Sequence, residues 1–382
     1  MSKINVRSPY YIGIGIDPTI DNLTSTQLEL YIYQGEQTND RPTTRTYLLN
    51  SFAVDNVCVF EIAELIRDYF TNVFDGDYST NIFWVDYRTT TFVQGAAQTT
   101  SGYTQLKAFF GYGLFEDGVQ NQSTTINNQA VLQSNTKIVK LDDAPAVIAV
   151  DTSLATQVTY LNNGTQVYTK AITPSSPLTS STQIEYVTSG VNGSDDFEDR
   201  VIQDGGTFEG SDCLTAFEGE YTLFNFDTIL VDSSTGVTKL SVTNESECKF
   251  TPYKITFINK FGALQDIWFF KRTNETLTTK TEKFKKNIIS GASYSISNHQ
   301  DKTLTKNGKE KLTLNTGYYP EAYNEVFKEM QLSEDCWIEI NSKTLPIQVT
   351  SSSFAYKTQL NDKIINYTIE IEFAFDTINN IR

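Results

Sequence analysis

The side chains that chemistry recruits most often are scarce in this sequence. Its 382 residues include one histidine, His299, set in the polar run SNHQDK from Ser297 to Lys302. Nothing around it holds an imidazole as Ser-His-Asp or Cys-His catalysis requires, so it reads as a surface-loop residue. Cys58, Cys213, Cys248 and Cys336 stand at least 35 residues apart, without a CxxC pair. That spacing excludes the tight ligand pairs of a zinc site and the dense cysteines of a disulfide scaffold. Four isolated thiols in a reducing compartment are expected. No GxxxxGK[ST] or GxGxxG run follows a strand, so nucleotide binding lacks its phosphate cradle. No stretch of 18 or more apolar residues occurs, and no transmembrane span is expected. Met1 to Pro9 lacks the apolar core of a signal peptide, which points to synthesis in a cytoplasm. Repeats of solenoid or propeller length and a collagen-like G-X-Y period are also missing. These absences together predict a protein that is not an enzyme and carries no cofactor.

Positive charge is in short supply as well. Against 46 Asp and Glu there are 30 Lys and Arg, a formal net charge of −16. Such a surface repels nucleic-acid phosphate, so no direct nucleic-acid partner is expected. The charge is unevenly placed. Residues 142–247 hold 17 Asp/Glu and 3 Lys/Arg, a balance of −14, while residues 249–311 hold 13 Lys/Arg and 5 Asp/Glu, a balance of +8. Two solvated faces explain this, and so does an acidic block of one subunit meeting the basic block of its neighbour, an arrangement that high salt weakens.

The apolar material is concentrated in rings. Hydrophobic residues are 39% of the chain but aromatics reach 13%, and Phe and Tyr suit pleated, half-buried surfaces. The chain length suggests roughly two or three domains. Leu28, Leu30 and Ile32 alternate with Glu29, Tyr31 and Tyr33 as in a half-buried strand, and a second strand is expected from Arg45 to Phe52. Ile62, Leu65, Ile66, Tyr69 and Phe70 draw one apolar stripe on a short helix. A turn at Asp75–Asp77, a strand from Asn81 to Phe92 containing Trp84, and the run FFGYGLF from Phe109 to Phe115 complete the first part.

Farther along, Asn162-Asn163-Gly164 between two strand candidates is a hairpin signal, and short strands at roughly ten-residue spacing suggest an immunoglobulin-like sandwich. Strands at Lys254–Asn259 and Asp266–Lys271 flank a turn at Gly262. Pro320 begins a helix whose stripe is Tyr323, Val326, Phe327 and Met330. The last strand is marked by Ile365, Tyr367, Ile369, Ile371, Phe373 and Phe375 on one face. The expected fold is mainly β with a few short helices, in several β-sandwich-like domains. They are residues 1–140 with one amphipathic helix, an acidic Ig-like unit at 141–250, and 251–382 with one helix and the long final strand.

The densest carboxylate cluster, Asp195, Asp196, Glu198, Asp199, Asp204, Glu209 and Asp212, is interleaved with glycines. A solvated loop, a calcium site and a glycosidase pair all remain open for it. As a weak calcium candidate the set is Asp195, Asp196, Glu198 and Asp199. The aromatic surplus fits sugar platforms, but most rings fall at strand or helix core positions, which favours packing.

Three segments carry a resemblance: Arg7 to Ile12 (RSPYYI), Ile258 to Phe270 (INKFGALQDIWFF), and Leu360 to Arg382. They resemble virion structural proteins of tailed bacteriophages. The resemblance implies a tail, neck, baseplate or capsid-vertex subunit, made in the host cytoplasm and built into the virion. Its partners would be further copies of itself and other virion proteins. Interface positions expected on this reading are Ile365, Tyr367, Ile369, Phe373, Trp268 and Phe270. The alternative is a receptor- or polysaccharide-binding tail appendage, with Trp84, Trp268 and exposed tyrosines as platforms.

Overall fold

A computed structural model of the chain describes residues 2–15, 23–93, 96–118, 129–142, 144–189, 191–192, 221–222, 226–351 and 364–378. Strands account for 56% of it and helices for 7%, so the fold is mainly β with few helices.

The first part contains β1 (Ser2–Asn5), β2 (Tyr11–Gly15), β3 (Leu23–Tyr33), β4 (Tyr47–Phe52), β5 (Val57–Glu61), the short helix α1 (Ala63–Arg67), β6 (Phe83–Val93), β7 (Ala96–Thr100) and β8 (Thr104–Phe109). The main sheet runs β1-β8-β6-β3-β4, with β7 on the far end of β6 and β1 parallel to β8. Leu28, Leu30 and Ile32 point from β3 into a core shared with the antiparallel β2–β5 pair and α1. The alternation read from sequence is there, but the other face is not left to water throughout. Tyr31 and Tyr33 are buried too, and Tyr33 packs with Trp84, Phe109 and Ala149 in a cluster that joins the parts of the chain. Helix α1 is shorter than its stripe. It stops at Arg67, and Tyr69 and Phe70 continue as turns that set their rings against Phe83.

The middle part contains β9 (Lys137–Leu141), β10 (Val147–Asp151), β11 (Ala155–Asn162), β12 (Thr165–Ala171), β13 (Ile184–Thr188), β14 (Val191–Asn192), β15 (Tyr221–Thr222), β16 (Thr228–Ser233) and β17 (Gly236–Glu245). A five-stranded sheet, β12-β11-β16-β17-β9, faces the β10–β13 pair across one core of Val158, Tyr160, Ile229 and Val231 with Ile148 and Val187. The hairpin between β11 and β12 turns on Asn163 and Gly164, both at positive φ (48° and 78°). Asparagine and glycine tolerate that region, which is why the pair fixes the turn. A division at residue 140 cuts through β9, which pairs in parallel with β17 and so belongs to the middle sheet.

The last part contains β18 (Tyr253–Ile258), β19 (Leu264–Phe269), β20 (Lys271–Lys285), β21 (Asp301–Pro320), α2 (Asn324–Leu332), β22 (Cys336–Ile340), β23 (Lys343–Val349) and β24 (Ile364–Phe373). Its seven-stranded sheet runs β19-β18-β22-β23-β24-β21-β20. The stripe Tyr323, Val326, Phe327 and Met330 is fully buried against Phe269, Tyr319 and Tyr367. Final strand β24 is not an edge. It pairs with β21 on one side and β23 on the other.

The glycine-rich run after β8 meets the turn between β18 and β19 backbone to backbone. The Tyr112 N–H donates to the Lys260 carbonyl at 2.9 Å. A Cβ on Gly111 would lie 2.4 Å from that same oxygen, so only glycine admits the approach. Asn259 organises the turn: its Oδ1 accepts from the Phe261 and Ala263 N–H groups, and its Nδ2 donates to the Leu132 carbonyl and to Gln265.

Candidate interaction surface

Four of the six interface positions expected from sequence, Tyr367, Ile369, Phe373 and Phe270, lie buried in the chain's own core. The Phe327 ring of α2 sits 4.2 Å from that of Tyr367, centroid to centroid. Alternation along a strand reports that one face is covered, and here α2 covers it. Trp268 is half-buried and stacked on Phe270, with ring centroids 6.3 Å apart and planes 15° apart. Ile365 is set by backbone register opposite Tyr319. Trp84 is buried with its indole N–H on the Gly35 carbonyl, so it presents no platform to a sugar. The calcium candidates Asp195, Asp196, Glu198 and Asp199 lie outside the described residues. Among the described residues no group of three or more His, Cys, Asp or Glu is placed to hold a metal ion, and no helix is long and apolar enough to cross a membrane.

Two exposed features stand out instead, and sequence reading missed both. The first is an arm made by β20 and β21. Thr276, Thr278, Thr279 and Thr281 face a partner strand rich in Thr and Lys, and β-branched side chains favour extended backbone. Strand β24 flanks β21 only as far as Lys311, and the chain after it reaches Asn307 and Gly308. Beyond Asn307 the arm is a two-stranded ribbon for about 20 Å, at roughly 3.4 Å per residue, before its tip. Nearly every residue of that ribbon is exposed. At the tip Ile289, Tyr294 and Ile296 are 64%, 63% and 93% exposed. The tip turns on Gly291 and Ala292, both at positive φ, between mutually hydrogen-bonded Ser290 and Ser293. His299 is exposed there, beside Lys302.

The arm is basic: residues 271–311 hold ten Lys/Arg and four Asp/Glu. Lys271, Lys309 and Lys311 at its base pair with Glu247 and Glu372. Lys280, Lys283, Lys285, Lys302 and Lys306 stand farther out.

The second feature is the tight hairpin turn linking β4 to β5, two strands of different sheets that meet at the single bridge between Val54 and Val57. Phe52 and Val54 are 80% and 73% exposed, and Val57 and Val59 are exposed beside them on the side of β5 opposite buried Cys58 and Phe60. Strand β4 closes its sheet, with no further strand beyond it among the described residues. The surrounding segment, residues 46–82, holds six Asp/Glu and one Arg. The signal was legible as Phe-x-Val followed by Val-x-Val around Asp55-Asn56, more apolar side chains than one face of a hairpin needs.

The body carrying these features is fastened by buried polar groups. Asp151 is completely buried and pairs with Lys3 and with Lys107, whose Nζ lies 3.3 Å away. Ser153 completes the site, donating to Asp151 through its N–H and its hydroxyl at 2.9 and 2.6 Å. Burial pushes the Asp151 carboxyl upward, but the two ammonium groups outweigh it and hold the pKa below the ordinary carboxylate value. Burial dominates at Lys107 and lowers its pKa. Glu329 on α2 is buried against Ser134 and Lys260, and desolvation raises its pKa. Tyr78 donates to Asp266 and Tyr186 to Thr80 or from it, with the Leu264 N–H donating to Tyr186.

A cavity of about 420 Å³ opens beside these tyrosines, between the first and last parts of the chain. Its walls include the rings of Tyr69, Phe83 and Trp337 and the amides of Gln34, Asn72 and Asn81, and none of its lining side chains is charged.

A scan of the chain against protein-family models gives no match, and a search of curated proteins gives none either.

Proposed function

We propose that the chain is a structural subunit of a tailed-phage virion, one that assembles as a homo-oligomer and contacts other virion proteins. The arm carries this reading. A two-stranded ribbon wetted on both faces is marginal in isolation, and it ends in isoleucines that gain most by leaving water. Exposed lysines on such a ribbon also keep its edges from pairing indiscriminately, which suits an element reserved for one partner. The contact is geometric, made by rigid sheets and a projecting arm. The virion setting draws on the resemblance of Arg7–Ile12, Ile258–Phe270 and Leu360–Arg382 to phage structural proteins. Light scattering and electron microscopy of the purified chain test the assembly. Particles of defined copy number are expected, and a sample that stays at 43.0 kDa at every concentration refutes it. Gold-labelled antibody against the chain is expected to decorate phage particles; label confined to unassembled protein refutes the virion location.

One observation favours a second reading, a polysaccharide- or receptor-binding appendage. The uncharged cavity near Tyr69 combines aromatic walls with amide donors and acceptors, the chemistry that takes a neutral sugar. Glycan-array binding that is lost in Asn81→Ala supports it, and a blank array removes it.

A further inference from the structure

We infer that the arm of one copy docks on the β4–β5 hairpin of the next copy of the same chain, head to tail. The inference rests on the reading of this protein as a self-assembling subunit and says how the copies meet. Like charge opposes the simplest alternative. With Lys271, Lys309 and Lys311 held by Glu247 and Glu372, two arms brought together would still set seven Lys/Arg against seven, with four acidic residues on each to relieve them. A two-fold contact made of arms is therefore disfavoured, and the arm needs a surface of opposite character elsewhere on the molecule.

The β4–β5 hairpin has that character on both counts. Phe52, Val54, Val57 and Val59 offer exposed apolar side chains to match Ile289, Tyr294 and Ile296. Counted along the chain, residues 46–82 hold six acidic residues against one Arg, the opposite sign to the arm. Asp55, at the crest of the hairpin, is exposed among the valines. No strand pairs with the outer edge of β4 among the described residues, and apart from the Ser51 carbonyl, which takes the Cys58 thiol, that edge adds backbone donors and acceptors that an extended ribbon can use. Because the two surfaces are different patches of one chain, the contact is heterologous. It generates a ring where the rotation closes and a filament where it does not, and it leaves one arm and one hairpin free on any open end.

That geometry has a complementation test. One variant disables the arm (Lys280→Glu, Lys283→Glu, Ile289→Ser, Ile296→Ser), and the other disables the hairpin (Phe52→Ser, Val54→Ser, Val57→Ser). All these positions are exposed, and circular dichroism with thermal melting verifies that both variants fold. Each variant alone is expected to lose self-association by about a hundredfold or more, since apolar anchors dominate contacts of this kind. Mixed one to one, they are expected to form a complex of two chains that grows no further, because one intact arm meets one intact hairpin. Added salt is expected to weaken that complex. Variants that assemble as the parent does would overturn the docking while leaving self-assembly intact, and so would a mixture without rescue or a parent that closes as a two-fold dimer. A parent that binds a DNA duplex through the arm would also overturn it. A parent that never associates refutes the reading beneath it as well.

Discussion

Replacing Asp151 by asparagine removes the anion from a buried site and leaves two ammonium groups facing each other. The side chains of Lys3 and Lys107 are 8% and 4% exposed. Neither reaches water easily, and Lys107 already has its pKa lowered by burial. Breaking a buried ion pair on one side costs about 3–5 kcal/mol, because the remaining charge keeps its desolvation penalty without its partner. The site joins β1 and β8 of the first sheet to the end of β10 in the middle part. The cost therefore falls on that junction rather than on the whole molecule. Native-state hydrogen exchange reads it directly. Amides of β1, β8 and β10 in Asp151→Asn are expected to exchange about a hundredfold to several thousandfold faster at pH 7, at roughly 1.4 kcal/mol per tenfold. Amides of β22 and β23 are expected to stay as they were.

The same site fixes a pH dependence. The folded-state pKa of Asp151 is depressed below its unfolded value of about 4. Its stabilisation is thus fully present above that value and fades as the pH falls through the lower, folded-state value. The parent is expected to loosen at the junction on acidification below about pH 4, and Asp151→Asn is expected to lack that limb. Replacing all three groups by apolar residues of similar size (Lys3→Met, Asp151→Leu, Lys107→Met) should recover most of the loss. Exchange in Asp151→Asn within fivefold of the parent at the three strands would refute the assignment of these charges as a junction, and so would an unchanged acid limb.

Gly111→Ala is expected to cost about 1–3 kcal/mol of stability through overpacking, seen as a lower melting temperature, because the added carbon meets the Lys260 carbonyl at 2.4 Å. Phe327→Ala should cost about 3–5 kcal/mol in urea unfolding of the last part, since the ring is fully buried between Phe269, Tyr319 and Tyr367. In the native protein a thiol reagent is expected to modify exposed Cys248 quickly and to spare Cys58 and Cys336 until denaturant is added; burial pushes the Cys336 thiol up to about 12. Truncation after Leu360 should abolish soluble folding, because β24 is an interior strand and its loss strips partners from β21 and β23; a folded truncated chain on circular dichroism would refute this.

Periodicity was the readable part of this sequence. The stripe from Tyr323 to Met330 gave a helix in the right place, and Asn163-Gly164 gave the turn between β11 and β12. Both are local: the residues that specify the element lie within it. The alternation of β24 was equally clear, yet it says only that Tyr367, Ile369 and Phe373 face something apolar. That the cover is α2, some 40 residues earlier in the chain, is a tertiary fact no local pattern contains. Tyr31 and Tyr33 show the same limit from the other side. They occupy the polar phase of β3, but Trp84, Phe109 and Ala149 close over Tyr33 from elsewhere. The arm was invisible for a different reason. Its Thr, Lys and Glu carry no apolar period, and only the density of β-branched residues from Thr276 to Thr281 hints at extended backbone.

Those two kinds of failure share a cause. Rings make up a third of this chain's hydrophobic residues, 13% against 39%, and its folded body takes up many of them: Phe257, Phe269, Phe327, Tyr160 and Tyr319 are all fully buried. Among the described residues, ten of the 21 large apolar side chains that stay exposed lie on two protrusions, with Phe52, Val54, Val57 and Val59 on one and Ile289, Tyr294 and Ile296 at the tip of the other. Searching for adhesive surface among the aromatics therefore leads inward, to positions already spent on the chain's own sheets. A ribbon tip such as that of β20 and β21 cannot cover its own side chains, because a two-stranded ribbon has nothing behind it. Apolar residues retained there stay in water in the lone chain, and a second surface that covered them would gain their burial.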